Sequence, residues 1–181
     1  MLLLLCFILW ARARSRYQVF YIENALPPAV FDAICKQVKH LYPTDFDDDY
    51  AVGRKIAFVP HTHPIVNMIY NAHFMGIVKE KTHCNVTPCF EHPIEYRVYQ
   101  QGSHMDWHKD DLLYAKPQLE CVLTLENDSD SLTQYHTTYG TKSIHTKPNS
   151  LLIVFGDGAL HRVTPLNRGH RSIMKFVLMQ S

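Results

Sequence analysis

The stretch His104-Met-Asp-Trp-His-Lys-Asp-Asp111 sets a histidine and a carboxylate two residues apart twice over, as His104–Asp106 and as His108–Asp110. Side chains two apart on a strand share one face, so either pair offers two ligands to a single metal ion. A third ligand is available downstream, where His161 follows a tight Asp157-Gly158 turn at the start of a strand. Two histidines and one carboxylate leave half of an octahedral metal's positions open, and imidazole with carboxylate suits iron(II) without any cysteine.

Ten residues after His161 stands Arg171, on the strand expected to pair with that of His161 across the turn Pro165–His170. A guanidinium pointing inward there holds a carboxylate through two parallel hydrogen bonds. An open metal site that faces a buried arginine fits a keto-dicarboxylate, chelated at one end and clamped at the other. The chain contains 12 histidines, so single His-x-Asp matches arise by accident and the weight rests on the combination. His40, His73, His83, His92, His136 and His145 lack partners at ligand spacing and are expected at the surface or in the core. Asp111 is expected to be a solvated charge.

The elements that would position these residues are legible in outline. Val19–Ile22 reads as a strand. Pro27 and Pro28 suit the first turn of a helix, where a missing N–H costs nothing. Val30, Phe31, Ile34, Val38 and Leu41 then recur at helical spacing, and the helix should end before Pro43. The acidic run Thr44–Tyr50 reads as a solvated loop. A second helix is expected over Ile65–Lys79, with Ile65, Met68, Ile69, Phe74 and Ile77 as its apolar positions. Beyond about residue 93 short β-rich runs separated by turn residues replace helical patterning, which points to a β-sandwich or jelly roll. The expectation is an α+β chain in which residues 94–179 form the jelly roll and helices within residues 27–80 buttress one sheet.

A length of 181 residues implies one domain, and 46% hydrophobic residues supply a core. The net charge of +1 and the lack of a basic stripe argue against nucleic acid as a partner. The nine-residue apolar run Leu2–Trp10 is too short to span a bilayer, which takes about 20 residues. Residues 1–16 read as a leader, as a signal segment with Ala11-Arg12-Ala13 as a cleavage site, or as a membrane-associating anchor; a secretory or endoplasmic-reticulum location and a cytoplasmic one both stay open. Residues 17–181 form the domain. Five cysteines fall at 6, 35, 84, 89 and 121. Cys35 and Cys121 read as buried thiols. Cys84 and Cys89 stay open between free thiols, a local bridge and, with His83 and His92, a loose zinc site. Asn85-Val-Thr and Asn127-Asp-Ser match glycosylation sequons.

Three segments together resemble the Fe(II)- and 2-oxoglutarate-dependent dioxygenases, in particular the prolyl 4-hydroxylase-like group. Val19–Val38 is similar to the group's opening strand and helix. Tyr96–Asp110 is similar to its tyrosine, glycine and His-x-Asp segment, and Ser150–Leu178 to its closing block with the distal histidine and a basic residue about ten positions later. The resemblance implies a double-stranded β-helix, agreeing with the strand pattern. It implies His108, Asp110 and His161 as metal ligands, because Tyr99 and Gly102 stand at the group's distances from His108 rather than from His104. It also implies Arg171 at the distal carboxylate of 2-oxoglutarate, with Tyr99 and Thr124 as further contacts. His104, Asp106 and Trp107 then fall on the substrate rim, with packing as the alternative role for Trp107.

The implied cofactors are Fe(II), 2-oxoglutarate and O₂, with ascorbate as an auxiliary reductant. The implied reaction hydroxylates a substrate C–H, on a prolyl or other peptidyl residue, as 2-oxoglutarate is converted to succinate and CO₂. The segment Glu126–Ser143 departs from the group's pattern at the substrate mouth, which leaves the peptidyl-proline assignment open. The alternatives are a hydroxylase of a free amino acid or small molecule, a nucleobase oxygenase, an inactive relative, and a non-catalytic jelly-roll binding protein, to which His61-Thr-His63 bears a slight likeness.

Overall fold

The computed structural model describes residues 17–181. The chain begins with β1 (Val19–Glu23), α1 (Pro28–Gln37) and a 3₁₀ turn (Val38–His40). β2 (Thr44–Asp45) and β3 (Ala51–Val59) follow, then α2 (Pro64–Ile69), α3 (Ala72–Thr82) and β4 (Val86–Pro88). The C-terminal half is all strand: β5 (Ile94–His108), β6 (Gln118–Asn127), β7 (Thr133–Thr137), β8 (Gly140–Ile144), β9 (Ser150–Phe155), β10 (His161–Val163) and β11 (Arg171–Gln180). Every pairing is antiparallel. The main path runs β1-β9-β6-β11-β5-β10-β7-β8, with β3 on β5 and β4 on β11. The sheet curls into the jelly roll of a double-stranded β-helix, with the helices against one face.

Strand alternation explains how one sheet serves two purposes. Leu119, Cys121 and Leu123 of β6, Leu151 and Ile153 of β9, and Met174, Phe176 and Leu178 of β11 point to the helices. They pack there against Ile34, Ile65, Ile69, Phe74 and Val78. Trimming the fully buried Phe176 to alanine would cost about 3–5 kcal/mol. The intervening residues Glu120, Val122, Leu152, Val154, Ile173 and Lys175 point the other way, into the interior of the roll. A hydrophobic layer thus backs the polar pocket and fixes its walls.

Three expectations are corrected. The single helix over Ile65–Lys79 is two helices, because Asn71 ends one and starts the other. Its Nδ2 donates to Met68 O (2.6 Å) and its Oδ1 accepts from Phe74 N (2.9 Å), which makes it a side-chain N-cap. The sheet is not confined to residues 94–179, since β1, β2, β3 and β4 join it. The run Thr44–Tyr50 is not merely a solvated loop. It forms the β2–β3 connection, in which Asp48 accepts from Tyr50 N and Ala51 N and pairs with Arg54 (2.6 Å). Arg54 is fully buried, and its Nε also donates to Phe46 O. Partial burial alone would raise the Asp48 carboxyl, but these hydrogen bonds and the Arg54 charge hold it below its ordinary range.

Cys84 and Cys89 are free, buried thiols, while Cys35 is only half-buried. Of the two sequon asparagines, Asn85 is exposed, whereas Asn127 donates its amide to Thr146 O. The expected leader or anchor, residues 1–16, lies outside the described residues. No helix among the described residues is long and apolar enough to cross a membrane.

Candidate metal and 2-oxoglutarate site

The two His-x-Asp pairs are separated by a defect in β5. Met105 pairs with Val163 and His108 with His161, so Asp106 and Trp107 together oppose Arg162 alone. This is a β-bulge, one extra residue on one strand of an antiparallel pair. It reverses the alternation, so that Met105 and His108, three residues apart, both line the interior pocket. His104 is half-buried with Nδ1 against Gly102 O, and Asp106 is exposed. Neither belongs to the cluster around His108. Gly102, just upstream, takes a φ of +91°, a conformation that favours glycine.

His108, Asp110 and His161 offer ligand atoms that all lie within 4.8 Å of one another. Asp110 Oδ1 is 3.9 Å from His108 Nε2, and its Oδ2 is 3.6 Å from His161 Nε2. Each histidine is oriented by the same device. His108 Nδ1 donates to Asp106 O (2.8 Å) and His161 Nδ1 to Ala159 O (2.9 Å), the carbonyl two residues earlier in each case. The proton thereby sits on Nδ1 and the Nε2 lone pair faces the centre, the usual arrangement of a metal-bound imidazole. His108 Nε2 is buried and has no hydrogen-bond partner. Burial, then the neighbouring His161 charge, hold the His108 pKa below its ordinary value, which keeps the ligating neutral form. The ring of Tyr50 stacks on His108 (centroids 5.5 Å, 23°). This aromatic lid comes from the connection read as a plain acidic loop, and nothing in its spacing signals it.

The opposite end of the pocket carries Arg171, 2% exposed and directly across the ladder from Tyr99. Its guanidinium lies 5.9 Å from the Tyr99 ring centroid, and its Nε has no partner. Burial pulls its pKa down, opposed by the nearby Tyr99. Two further cations line the pocket, but each has its own carboxylate: Arg97 pairs with Glu95 and Lys175 with Glu120 (2.8 Å). Among these buried charges of the described residues, Arg171 alone lacks a counter-ion. This ion network went unseen in the sequence, although Glu95, Arg97 and Tyr99 share the parity that would have placed them together. Thr124 is buried beside Ile173 and Ser150 on the pocket-facing side, and its hydroxyl has no partner. Val122, Leu152, Val154, Val163 and Ile173 make the walls between the ends apolar.

Outside the metal cluster a mouth of about 420 Å³ opens between Tyr50, Lys109, Asp110, Asp111, Leu112 and Asp157. Asp157 N donates to Asp110 O (2.7 Å), which ties the turn before His161 to the segment that bears the carboxylate. Trp107 sits away from the pocket, against the His136 ring (4.4 Å) and under the Arg162 guanidinium (4.7 Å).

No protein-family model matches the sequence, and no curated protein matches it. Solved structures do. The chain is similar to an oxidoreductase of the 2OG-Fe(II) oxygenase family from Burkholderia pseudomallei, at 11% identity and a TM-score of 0.76, covering 96% of this chain and 91% of that one. It is similar to a prolyl 4-hydroxylase of Pseudomonas putida, at 12% identity and a TM-score of 0.69, covering 94% and 96%. It is also similar to a prolyl hydroxylase of Trichoplax adhaerens in complex with a hypoxia inducible factor peptide fragment, at 12% identity and a TM-score of 0.68, covering 94% and 89%. The curled sheet with helices on one face is therefore the fold of the 2OG-Fe(II) oxygenases, prolyl 4-hydroxylases among them.

Proposed function

We propose that this protein is an Fe(II)- and 2-oxoglutarate-dependent oxygenase that hydroxylates a C–H bond on a peptidyl residue, with prolyl the first candidate. The observation that carries the reading is the unmatched Arg171, buried at one end of a pocket whose other end presents His108, Asp110 and His161. A buried cation without a partner is costly, and a carboxylate at that end removes the cost. A dicarboxylate with a keto group beside its other carboxylate meets both ends. The Trichoplax prolyl hydroxylase carries a peptide, which favours a peptidyl substrate here.

In this reading His108, Asp110 and His161 hold the iron, which when bound supplies the oxidising chemistry. The chain supplies position. The Nδ1 hydrogen bonds to Asp106 and Ala159 fix both imidazoles before the metal arrives. Arg171 sets the depth and direction of the co-substrate, with Tyr99 flanking the guanidinium. The aliphatic walls exclude water from the chelated end, which strengthens each electrostatic contact inside. Tyr50 stacks on the His108 ring and helps to bury it, and the mouth at Asp110 admits substrate.

Anaerobic titration with Fe(II) and 2-oxoglutarate tests the reading. The expected result is a visible charge-transfer band that saturates at one equivalent of each, followed by succinate release on admission of O₂. A protein that takes up iron but gives no band with 2-oxoglutarate is not this enzyme.

A further inference from the structure

A second concavity lies apart from the metal pocket. It is a groove of about 680 Å³, within the range of about 300–1,000 Å³ typical of ligand sites. It lies where β1 and β8, the two ends of the hydrogen-bonded strand path, flank one another. Tyr21 of β1 and Ile144 of β8 both pack against the cluster Leu152, Val154 and Ala159. Phe20 lines one wall of the groove, and Thr137, Tyr139 and Lys142 of the β7–β8 hairpin line the other.

Two properties of the lining define what fits. It is rich in aromatic and aliphatic surface, from Tyr17, Phe20, Tyr135, Tyr139 and Leu160, and Tyr139 at the hairpin tip is 87% exposed. Its ionisable side chains, tyrosines aside, are Lys109, Lys142 and His136, and no aspartate or glutamate among the described residues lines it. Lys142 makes no ion pair among the described residues, whereas Lys109 reaches Asp157 (3.3 Å) and lies over Tyr17 (5.6 Å). Lys109 stands between the two residues His108 and Asp110 in the chain, and it lines both this groove and the mouth of the metal site. The groove and the mouth therefore meet at Lys109. The two parts differ in sign, basic and aromatic in the groove, acidic at Asp110, Asp111 and Asp157 in the mouth.

We propose that the groove docks an extended, acidic polypeptide segment bearing an aromatic or large aliphatic side chain, and that this segment flanks the residue presented at the mouth. The proposal rests on the oxygenase reading for the fate of the presented residue, but not for the docking itself. Three observations favour a polypeptide. Strands that end a sheet path offer free main-chain donors and acceptors, the basis of recognition by strand addition. The aromatic lining supplies contact area for a side chain on the added strand. Charge complementarity selects a carboxylate at Lys142, which has no ion pair among the described residues. Selectivity then resides at a distance from the metal, in the residues that precede or follow the reacting one.

The test uses the full-length chain, with and without Fe(II) and 2-oxoglutarate under anaerobic conditions. The probes are fluorescein-labelled nonapeptides that combine two aromatic residues with three glutamates, the same peptides with lysines for the glutamates, and an aromatic-free glutamate peptide. Anisotropy is expected to rise only with the first set. K142E and Y139A should each weaken that binding about tenfold, a change typical of a lost charge or aromatic contact. Both positions are exposed, so both variants fold, and K79E on α3 serves as a control that leaves binding unchanged.

Equal binding of the acidic and basic peptides, or unweakened binding by K142E and Y139A together, overturns the proposal. So does binding of anionic vesicles in place of the peptides, or concentration-dependent self-association that K142E abolishes. The charge-transfer band reports separately. Its loss with peptide discrimination intact sinks the oxygenase reading alone, and its presence without discrimination sinks the groove alone.

Discussion

His161 lies directly across the strand ladder from His108, with ring centroids 4.2 Å apart, and the two rings are held by identical hydrogen bonds to carbonyls two residues upstream. The two strands therefore present the Nε2 atoms as a matched pair, and Asp110 bridges both.

From that geometry, His108→Ala and Asp110→Ala are expected to abolish Fe(II) binding and turnover. His104→Ala and Asp106→Ala should retain the metal, since neither side chain belongs to the cluster. Isothermal titration under argon measures this. Iron lost from the His104 variant and kept by the His108 variant would move the site to the earlier pair.

Arg171→Met should separate co-substrate from metal. Fe(II) affinity stays near that of the wild type, while the 2-oxoglutarate needed for half-saturation rises about 30-fold or more, the effect of truncating one side of a buried charge pair. The same variant should melt higher than the wild type when both are ligand-free, because removing a buried unpaired cation relieves about 1–4 kcal/mol. At a 2-oxoglutarate concentration that just saturates the wild type, mass action then stabilises the wild type more than the variant. Calorimetry of four samples, each protein with and without ligand, decides the matter, and a drop in the variant's ligand-free melting temperature counts against an unpaired Arg171.

Gly169 precedes the strand that carries Arg171. Its φ is +76°, and an added Cβ would fall 2.6 Å from the backbone oxygen of Asp128. A carbonyl of the main chain cannot swing aside as a side chain can, so Gly169→Ala combines left-handed strain with a hard clash. It is expected to cost about 2 kcal/mol or more, read from the urea midpoint. Gly76→Ala, with open space around its Cβ in α3, is the comparison and should be neutral or stabilising.

Acid stability should depend on Glu95. Burial alone would raise its pKa, but Arg97, then Lys175, outweigh burial and hold it below the ordinary 4.5. With the folded pKa depressed, the contribution is full above the unfolded value and is lost as pH falls through the folded one. Glu95→Gln is therefore expected to lower stability at pH 7 and to flatten its decline below about pH 4.5. Parallel declines for the two proteins across that acid window would remove Glu95 from the account.

The jelly roll was legible because short β-rich runs bounded by turn residues follow one another after residue 93, the apolar Ser150–Phe155 and Arg171–Gln180 among them. β3 was not legible. Its buried arginine, Arg54, and its Gly53 break the pattern a half-buried strand shows, and its partner Asp48 sits in a run that looks solvated. The candidates His161 and Arg171 stood out by short-range spacing, whereas the choice of His108 and Asp110 over His104 and Asp106 came only from the resemblance to the prolyl 4-hydroxylase-like group. Tyr50 and Lys175 reach the site only through pairing between distant strands, which periodicity within one segment does not encode. Alternation also misled at one point, grouping His104, Asp106, His108 and Asp110 on a single face, because a bulge leaves no mark in composition.

That bulge has a mechanical side. Asp106, freed from the ladder, uses both of its backbone groups elsewhere: its N–H donates to Tyr50 O (2.7 Å), and its carbonyl accepts from His108 Nδ1. One residue thus joins the Tyr50 connection at the mouth to the His108 imidazole. The residue whose N–H anchors the entrance also supplies the carbonyl that orients this ring, so a displacement of the connection is carried to His108 through a single residue. A ligand that held the ring in one orientation would by reciprocity favour one position of the connection, by the same free energy.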